Sequence, residues 1–138
     1  LLARLEALRL EAGHRMGMGD VTHSVLPKPV IVSPGAQPGG VVSRYFTPHQ
    51  CHRSHAVTGA IGVAAASVLP GTVATDERHA PAAGLRRVEV QHPAGRIQVE
   101  VELSEVDGQF KLVQAALVRT ARKILEGTLF VPESAPAH

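Results

Sequence analysis

The chain has one cysteine, one tyrosine, three phenylalanines and no tryptophan among its 138 residues. The lone thiol, Cys51, excludes an internal disulfide and fits a reducing compartment, the cytoplasm. With aromatics at 3%, the core has to be built from Val, Leu, Ile and Ala. No apolar run reaches the length of a membrane span, and no signal peptide is visible. Charge of one sign is also missing. The formal net charge is +2, and no run of Lys and Arg with interleaved aromatics is found, which argues against nucleic acid as a partner. What is present is a hydrophobic content of 44% in one domain's length of chain, enough to exclude disorder and to bury a real core.

The chain starts Leu1-Leu2-Ala3-Arg4-Leu5, without an initiator Met and already in helical period. Leu1, Leu5, Leu8 and Ala12 fall on one predicted apolar face, with Arg4, Glu6, Arg9 and Glu11 around the rest. A helix that opens without a cap points to a chain cut from something longer. This first helix is expected to run to about Met16, where Gly17 and Gly19 end it.

Pro27-Lys28-Pro29 forces an extended approach to a strand at Val30-Ile31-Val32. Residues 33–40 read as a hairpin loop, and residues 41–46 as the returning strand. The last third alternates in strand period. Strands are expected at 87–91, at 96–102 with Ile97, Val99 and Val101 on one face, and at 110–119. Pro93-Ala94-Gly95 and Asp107-Gly108 supply the turns. Residues 119–126 have helical propensity, and residues 127–131 read as a short closing strand. There are no internal repeats. The fold class implied is α+β, a mostly antiparallel sheet wrapped around one apolar helix.

That helix is the most informative stretch. A polar segment, His49-Gln50-Cys51-His52-Arg53-Ser54-His55, runs into Thr58-Gly59-Ala60 and then into an apolar run ending at Pro70-Gly71. The expected helix spans about 52–68, buried from about residue 54 onward. Its start faces a polar site and offers unpaired N–H groups and a positive dipole end to a carboxylate or phosphate. The expected contacts are Ser54, His55 and the amides of Val57, Thr58 and Gly59, with His52 nearby. Arg44 or Arg119 would close the other side bidentately, or stay a solvated surface arginine. His49, His52 and His55 recur every three residues beside Cys51. A metal needs three or four ligands converging on one point, and the third of these sits well round a helix, so no metal site is assigned. Cys51 is open to two readings, an activated thiol beside a helix start or an inert buried side chain. Lys28 is either rigidly presented by its flanking prolines or part of a stiff turn.

Several segments, taken together and in order, resemble the PrpF-type isomerase family, which includes 2-methylaconitate isomerase, methylitaconate isomerase and 4-oxalomesaconate tautomerase. They are Ala12-Gly13-His14-Arg15-Met16-Gly17, Pro27-Lys28-Pro29, Ser43-Arg44-Tyr45-Phe46, Cys51-His52 through Thr58-Gly59-Ala60, His92-Pro93-Ala94-Gly95, and Arg119-Thr120-Ala121-Arg122 through Glu126-Gly127. The resemblance implies a diaminopimelate epimerase-like fold of two similar lobes with substrate between them. This chain would be the C-terminal lobe at 1–132, followed by a disordered tail at 133–138. It implies a cofactor-independent isomerase or tautomerase that shifts a double bond in a small unsaturated di- or tricarboxylic acid.

The family's proposed acid and base, a Lys and a Cys, come from the other lobe. Cys51 therefore inherits no catalytic role, and the fragment is expected to be inactive alone. The catalytic Cys of the related epimerase motif falls on Ala56, and the epimerases' Glu-Arg clamp falls near Thr47-Pro48 and is lost. The partners implied are a small carboxylic acid and either the missing lobe or a second copy, with neither nucleic acid nor membrane. A non-catalytic small-acid-binding or assembly module is the alternative, and a Zn-binding module comes third.

Overall fold

The computed structural model of the chain describes residues 1–75 and 82–131. Two helices and five strands follow in the order α1 (Leu2–Arg15), β1 (Val30–Pro34), β2 (Val41–Tyr45), α2 (Val57–Val68), β3 (Gly84–His92), β4 (Gly95–Val106) and β5 (Gln109–Leu117). The strands form one sheet in sequence order. The β1–β2, β3–β4 and β4–β5 pairings are antiparallel hairpins. Between β2 and β3 the pairing is parallel, with Val41 opposite Val90. A parallel step needs a crossover, and α2 lies within that connection.

Alternation builds the core. Val88 and Val90 on β3 and Ile97, Val99 and Val101 on β4 point to one face, where they meet Ala60, Val63, Ala64 and Ala65 of α2. Arg87, Glu89, Gln98, Glu100 and Glu102 alternate with them onto the opposite face, as a half-solvated sheet requires. Small residues on α2 let it lie close to the sheet. At Gly59 an added Cβ would sit 2.3 Å from Cε2 of Tyr45, so only glycine fits there. The β4–β5 hairpin turns at Asp107 (φ 53°) and Gly108 (φ 74°), the two consecutive positive values of a type I′ turn.

Three expectations need correction. The central helix starts at Val57 rather than near residue 52 or 54, because Ala56 is extended (φ −67°, ψ 140°) and serves as its N-cap. The expected sheet around α2 is present, with Thr58 and Gly62 on the side it leaves exposed. The buried stripe of α1 is Leu5, Arg9 and Gly13, while Leu1 and Leu8 stay exposed. The guanidinium of Arg9 sets that rotation. It donates to the carbonyls of Val21, Ser24 and Leu26 at 2.9–3.0 Å and to the Glu6 carboxylate at 2.7 Å. Lastly, residues 118–131 form neither the helix nor the strand that local propensity favours. An isolated helix of that length is below the nucleation threshold without a packing partner. The expected tail at 133–138 and part of the loop before β3 lie outside the described residues.

Candidate functional site

The two ends of α2 are finished differently. At its C-terminus, Thr72 Oγ1 donates to the carbonyl of Ala66 at 2.5 Å, Thr75 Oγ1 donates to the carbonyl of Leu69, and Ser67 Oγ donates to that of Ala64 at 2.8 Å. The Ala66 carbonyl, left over by the helix, is therefore satisfied by a side chain. At the N-terminus, Ala56 has no side chain able to cap, and no acidic residue lies in the first turn. The first intrahelical bond runs from Ala60 N–H to Ala56 O at 2.9 Å. The amides of Val57, Thr58 and Gly59 precede it and have no carbonyl inside the helix. Thr58 is exposed and Val57 is half-exposed, so this first turn lies at the surface, at the positive end of the helix dipole.

Three side chains shape the floor. Ser43 and Tyr45 on β2 share the face that meets α2, with Ser43 fully buried. His55 is also buried and lies between Ser43 Oγ, 2.8 Å from its Nε2, and the Ala56 carbonyl, 3.0 Å from its Nδ1. A carbonyl only accepts, so Nδ1 carries the proton and Nε2 accepts from the Ser43 hydroxyl. The Tyr45 ring packs against His55 at 4.7 Å between centroids. Burial pushes the His55 imidazole below its ordinary range. The Ala56 carbonyl opposes that shift, and the neighbouring His92 and His52 add to it. A neutral ring is the form that suits the positive end of a helix.

His52 is placed differently. Its Nδ1 donates to the carbonyl of Ser54 at 2.8 Å, and its Nε2 has no described partner. The ring meets Tyr45 edge-on at 6.4 Å. Lys28 Nζ lies 5.8 Å from the Tyr45 centroid on the approach to β1, a cation–π distance. Beside Tyr45 and Gly59 a cavity of about 310 Å³ opens, lined mainly by Val30, Val32, Val63 and Ala66.

Of the residues singled out from sequence, His52, Ser54, His55, Val57, Thr58 and Gly59 form one continuous stretch at the start of α2. Both ring nitrogens of His55 are engaged inside the chain, so it supports the site from beneath. Ser54 is exposed beside it. Arg44 alternates to the face away from Ser43 and Tyr45, and its guanidinium donates to the Ser43 carbonyl at 3.1 Å. Arg119 is exposed in the segment beyond β5. No described bond joins either arginine to α2.

The three histidines diverge. His49 lies 3.9 Å from Glu6, His52 faces Ser54 and His55 faces Ser43. Among the described residues, no three His, Cys, Asp or Glu side chains converge for a metal. The Cys51 thiol, half-buried, is 3.8 Å from the His52 carbonyl. Sequence reasoning missed the Ser43–His55 pair and the Tyr45–Gly59 contact. The alternation of β2, which turns residues 41, 43 and 45 to one face, was the available signal.

A family model described as PrpF protein matches residues 1–132. The chain belongs to the PrpF family. Among PrpF relatives, it is 42% identical over 132 residues to YbhH of Escherichia coli (strain K12), a protein named as an isomerase, covering 96% of this chain and 37% of that protein. It is 39% identical over 131 residues to the (4E)-oxalomesaconate Delta-isomerase of Novosphingobium sp. (strain KA1), covering 95% of this chain and 36% of that one. A solved structure of methylitaconate-delta-isomerase matches with a TM-score of 0.56 at 20% identity, over 85% of this chain and 37% of that one. At that identity the likeness carries the fold, an α+β PrpF lobe of the diaminopimelate epimerase-like type. The chain spans little more than a third of the length of the curated relatives it matches.

Proposed function

We propose that the chain is the carboxylate-holding part of a cofactor-independent isomerase or tautomerase that moves a double bond in a small unsaturated di- or tricarboxylic acid. The observation that carries this reading is the open N-terminus of α2, where the amides of Val57, Thr58 and Gly59 have no described hydrogen-bond partner and no side chain caps the helix. The names of the PrpF relatives supply the reaction class.

In that reaction a proton leaves a carbon allylic to the double bond, the electron pair shifts through the π system, and a proton returns at the far carbon. Charge accumulates on the adjoining carboxylate as the dienolate forms. Amides fixed at that oxygen stabilise it without reorganising, and the helix end adds roughly 0.3–1 kcal/mol for a nearby anion. Thr58 and Ser54 hydroxyls and the His52 ring add polar contacts at the rim. Lys28, across the Tyr45 ring, adds positive charge on the approach. We assign no catalytic acid or base to this chain, and expect the 138 residues alone to bind an acid without turning it over. The lone thiol fits a cytoplasmic setting, and no helix of the described residues is long and apolar enough to cross a membrane.

The test is titration with aconitate-type acids, following backbone amide shifts and, in the same tube, the vinyl protons. Movement confined to residues 52–60 with no change of the double bond is expected. Shifts elsewhere with those amides still would refute the site. Enzyme-like turnover would refute the division of labour and turn attention to Cys51 and His52. Binding without any assisting partner activity would favour the alternative, a small-acid-binding or assembly module.

A further inference from the structure

α2 follows β2 and therefore starts at the carboxyl end of that strand, and β3, parallel to β2, runs toward the same end of the sheet. β3 closes there on His92, and the turn into β4 follows at once, with His92 opposite Gly95. His92 continues the alternation of the buried Val88 and Val90, which places it on the face that meets α2. The β2–β3 register sets Val41 beside Val90 and Val42 beside Gln91. One step further along it lies Ser43, whose hydroxyl holds His55. His92 is close enough to His55 for its charge to bear on that buried ring, as the charge of His52 does. Two imidazoles thus flank a third at the helix start, one carried by the segment before α2 and one by the sheet.

The flanking rings offer different groups. A backbone N–H only donates, and the Ala94 N–H lies 3.3 Å from His92 Nδ1. Nδ1 therefore accepts, and the ring proton is on Nε2. That Nε2–H has no described partner, and His92 is half-buried, so the turn fixes a donor at the edge of the site. His52 is the opposite tautomer, with its Nδ1 donating to Ser54. A carboxylate only accepts, so of the two flanking rings His92 is the one matched to it. The helix amides already supply donors for one carboxylate. A donor from a different element serves another. We propose that His92 is a further binding residue of this site, whose Nε2–H donates to a second carboxylate of the acid held at the amides of Val57, Thr58 and Gly59, so that the site favours di- and tricarboxylic acids over monocarboxylic ones. This rests on the helix-start reading given above.

The experiment titrates the ¹⁵N-labelled 138-residue chain at fixed pH with trans-aconitate and, separately, with crotonate, an unsaturated monocarboxylate. Backbone amides and imidazole nitrogens are read together. Trans-aconitate should move the amides of residues 57–59 and the His92 Nε2 resonance, whereas crotonate should move the amides alone. His92→Leu should weaken trans-aconitate by roughly tenfold or more, the worth of one hydrogen bond to a charged group, and leave crotonate unchanged. His92→Gln, which keeps an N–H donor near the Nε2 position, should restore most of that loss. Equal weakening of both acids by His92→Leu, or of neither, overturns the proposal. So do moving amides with a still His92 Nε2, a result that needs no variant and leaves the helix-start reading in place. A moving His92 with still amides refutes the helix-start reading and upholds His92 as a carboxylate contact. Stillness of both overturns both.

Discussion

α2 packs against four strands, while α1 packs against none among the described residues. α2 is uncharged and is held by apolar contact, with Ala60 and Ala64 wholly buried against the valines of β3 and β4. α1 is charged, with most of its surface in water, and is held by one guanidinium that reaches three carbonyls of the segment it leads into, helped by a close approach of Gly13 to Val21. Burial of the first kind is non-directional and feels lost volume. The second kind is directional, so it fails when a single donor is removed. One chain thus attaches one helix by shape and the other by hydrogen bonds, and the two attachments should break independently.

The largest expected effect is on the α2 side. Ile97→Ala removes a core side chain beneath the helix and should cost about 2–5 kcal/mol in denaturant unfolding, with the whole sheet lost in one transition. Gly59→Val places a branched side chain into the Tyr45 ring and should cost roughly 1–3 kcal/mol by overpacking, while closing the cavity beside it. On the α1 side, Arg9→Met should leave the melting of the β3–β5 sheet in place. Its effect would appear as amide exchange in residues 2–26 faster by roughly tenfold or more, since three carbonyls, that of buried Val21 among them, lose their donor. Concerted loss of both regions in that variant would break the comparison.

The pH response sharpens it further. The unfolded chain's imidazole takes up its proton near its ordinary value of 6.5, before the buried His55 ring does. Stability should therefore fall as pH drops through 6.5 and keep falling until the buried ring itself protonates. His55→Gln should flatten that slope at the α2 start and leave α1 untouched, as stability measured at stepped pH would show. The smallest effect is expected at Arg87→Ala on the solvent face of the sheet. Its pair with Glu100, 2.8 Å apart with Arg87 73% exposed, should be worth less than about 1 kcal/mol.

The body of the fold was legible because period and packing agree there. The alternation around Val88, Val90, Val99 and Val101 and the apolar run after Thr58 each admit one arrangement, and Asp107-Gly108 admits one turn. The PrpF resemblance rests on residues spread along the same elements. Where the reading failed, the deciding term was not local. The face of α1 was set by carbonyls more than ten residues ahead of Arg9 in the chain, which apolar periodicity does not register. Residues 119–126 have helical propensity but are exposed, with no packing partner among the described residues. At the site, the stretch from His52 to Gly59 was legible because polar residues preceded an uncapped apolar helix. The distinction between His52, which keeps a nitrogen open, and His55, which is locked to Ser43, depends on a partner strand. Spacing along the sequence treats the two alike.

The parallel step between β2 and β3 bears on how such a protein can diversify. Both ends of the excursion are pinned, by Val41 and Val42 beside Val90 and Gln91 at the strands and by the packing of α2 on the sheet. The stretch from Phe46 to Ala56 between strand end and helix start is tied at its two ends, by Phe46 N–H to Pro29 O and the bridge to Cys51 at one and by His55 against Ser43 at the other, with His52 N–H bonded to Tyr45 O between them. Lengthening a connection of this kind costs little, about 0.6 kcal/mol for each doubling. The scaffold therefore separates inheritance of the fold from inheritance of the ligand. Insertions here would recut the rim above the helix amides while every strand register stayed where it is.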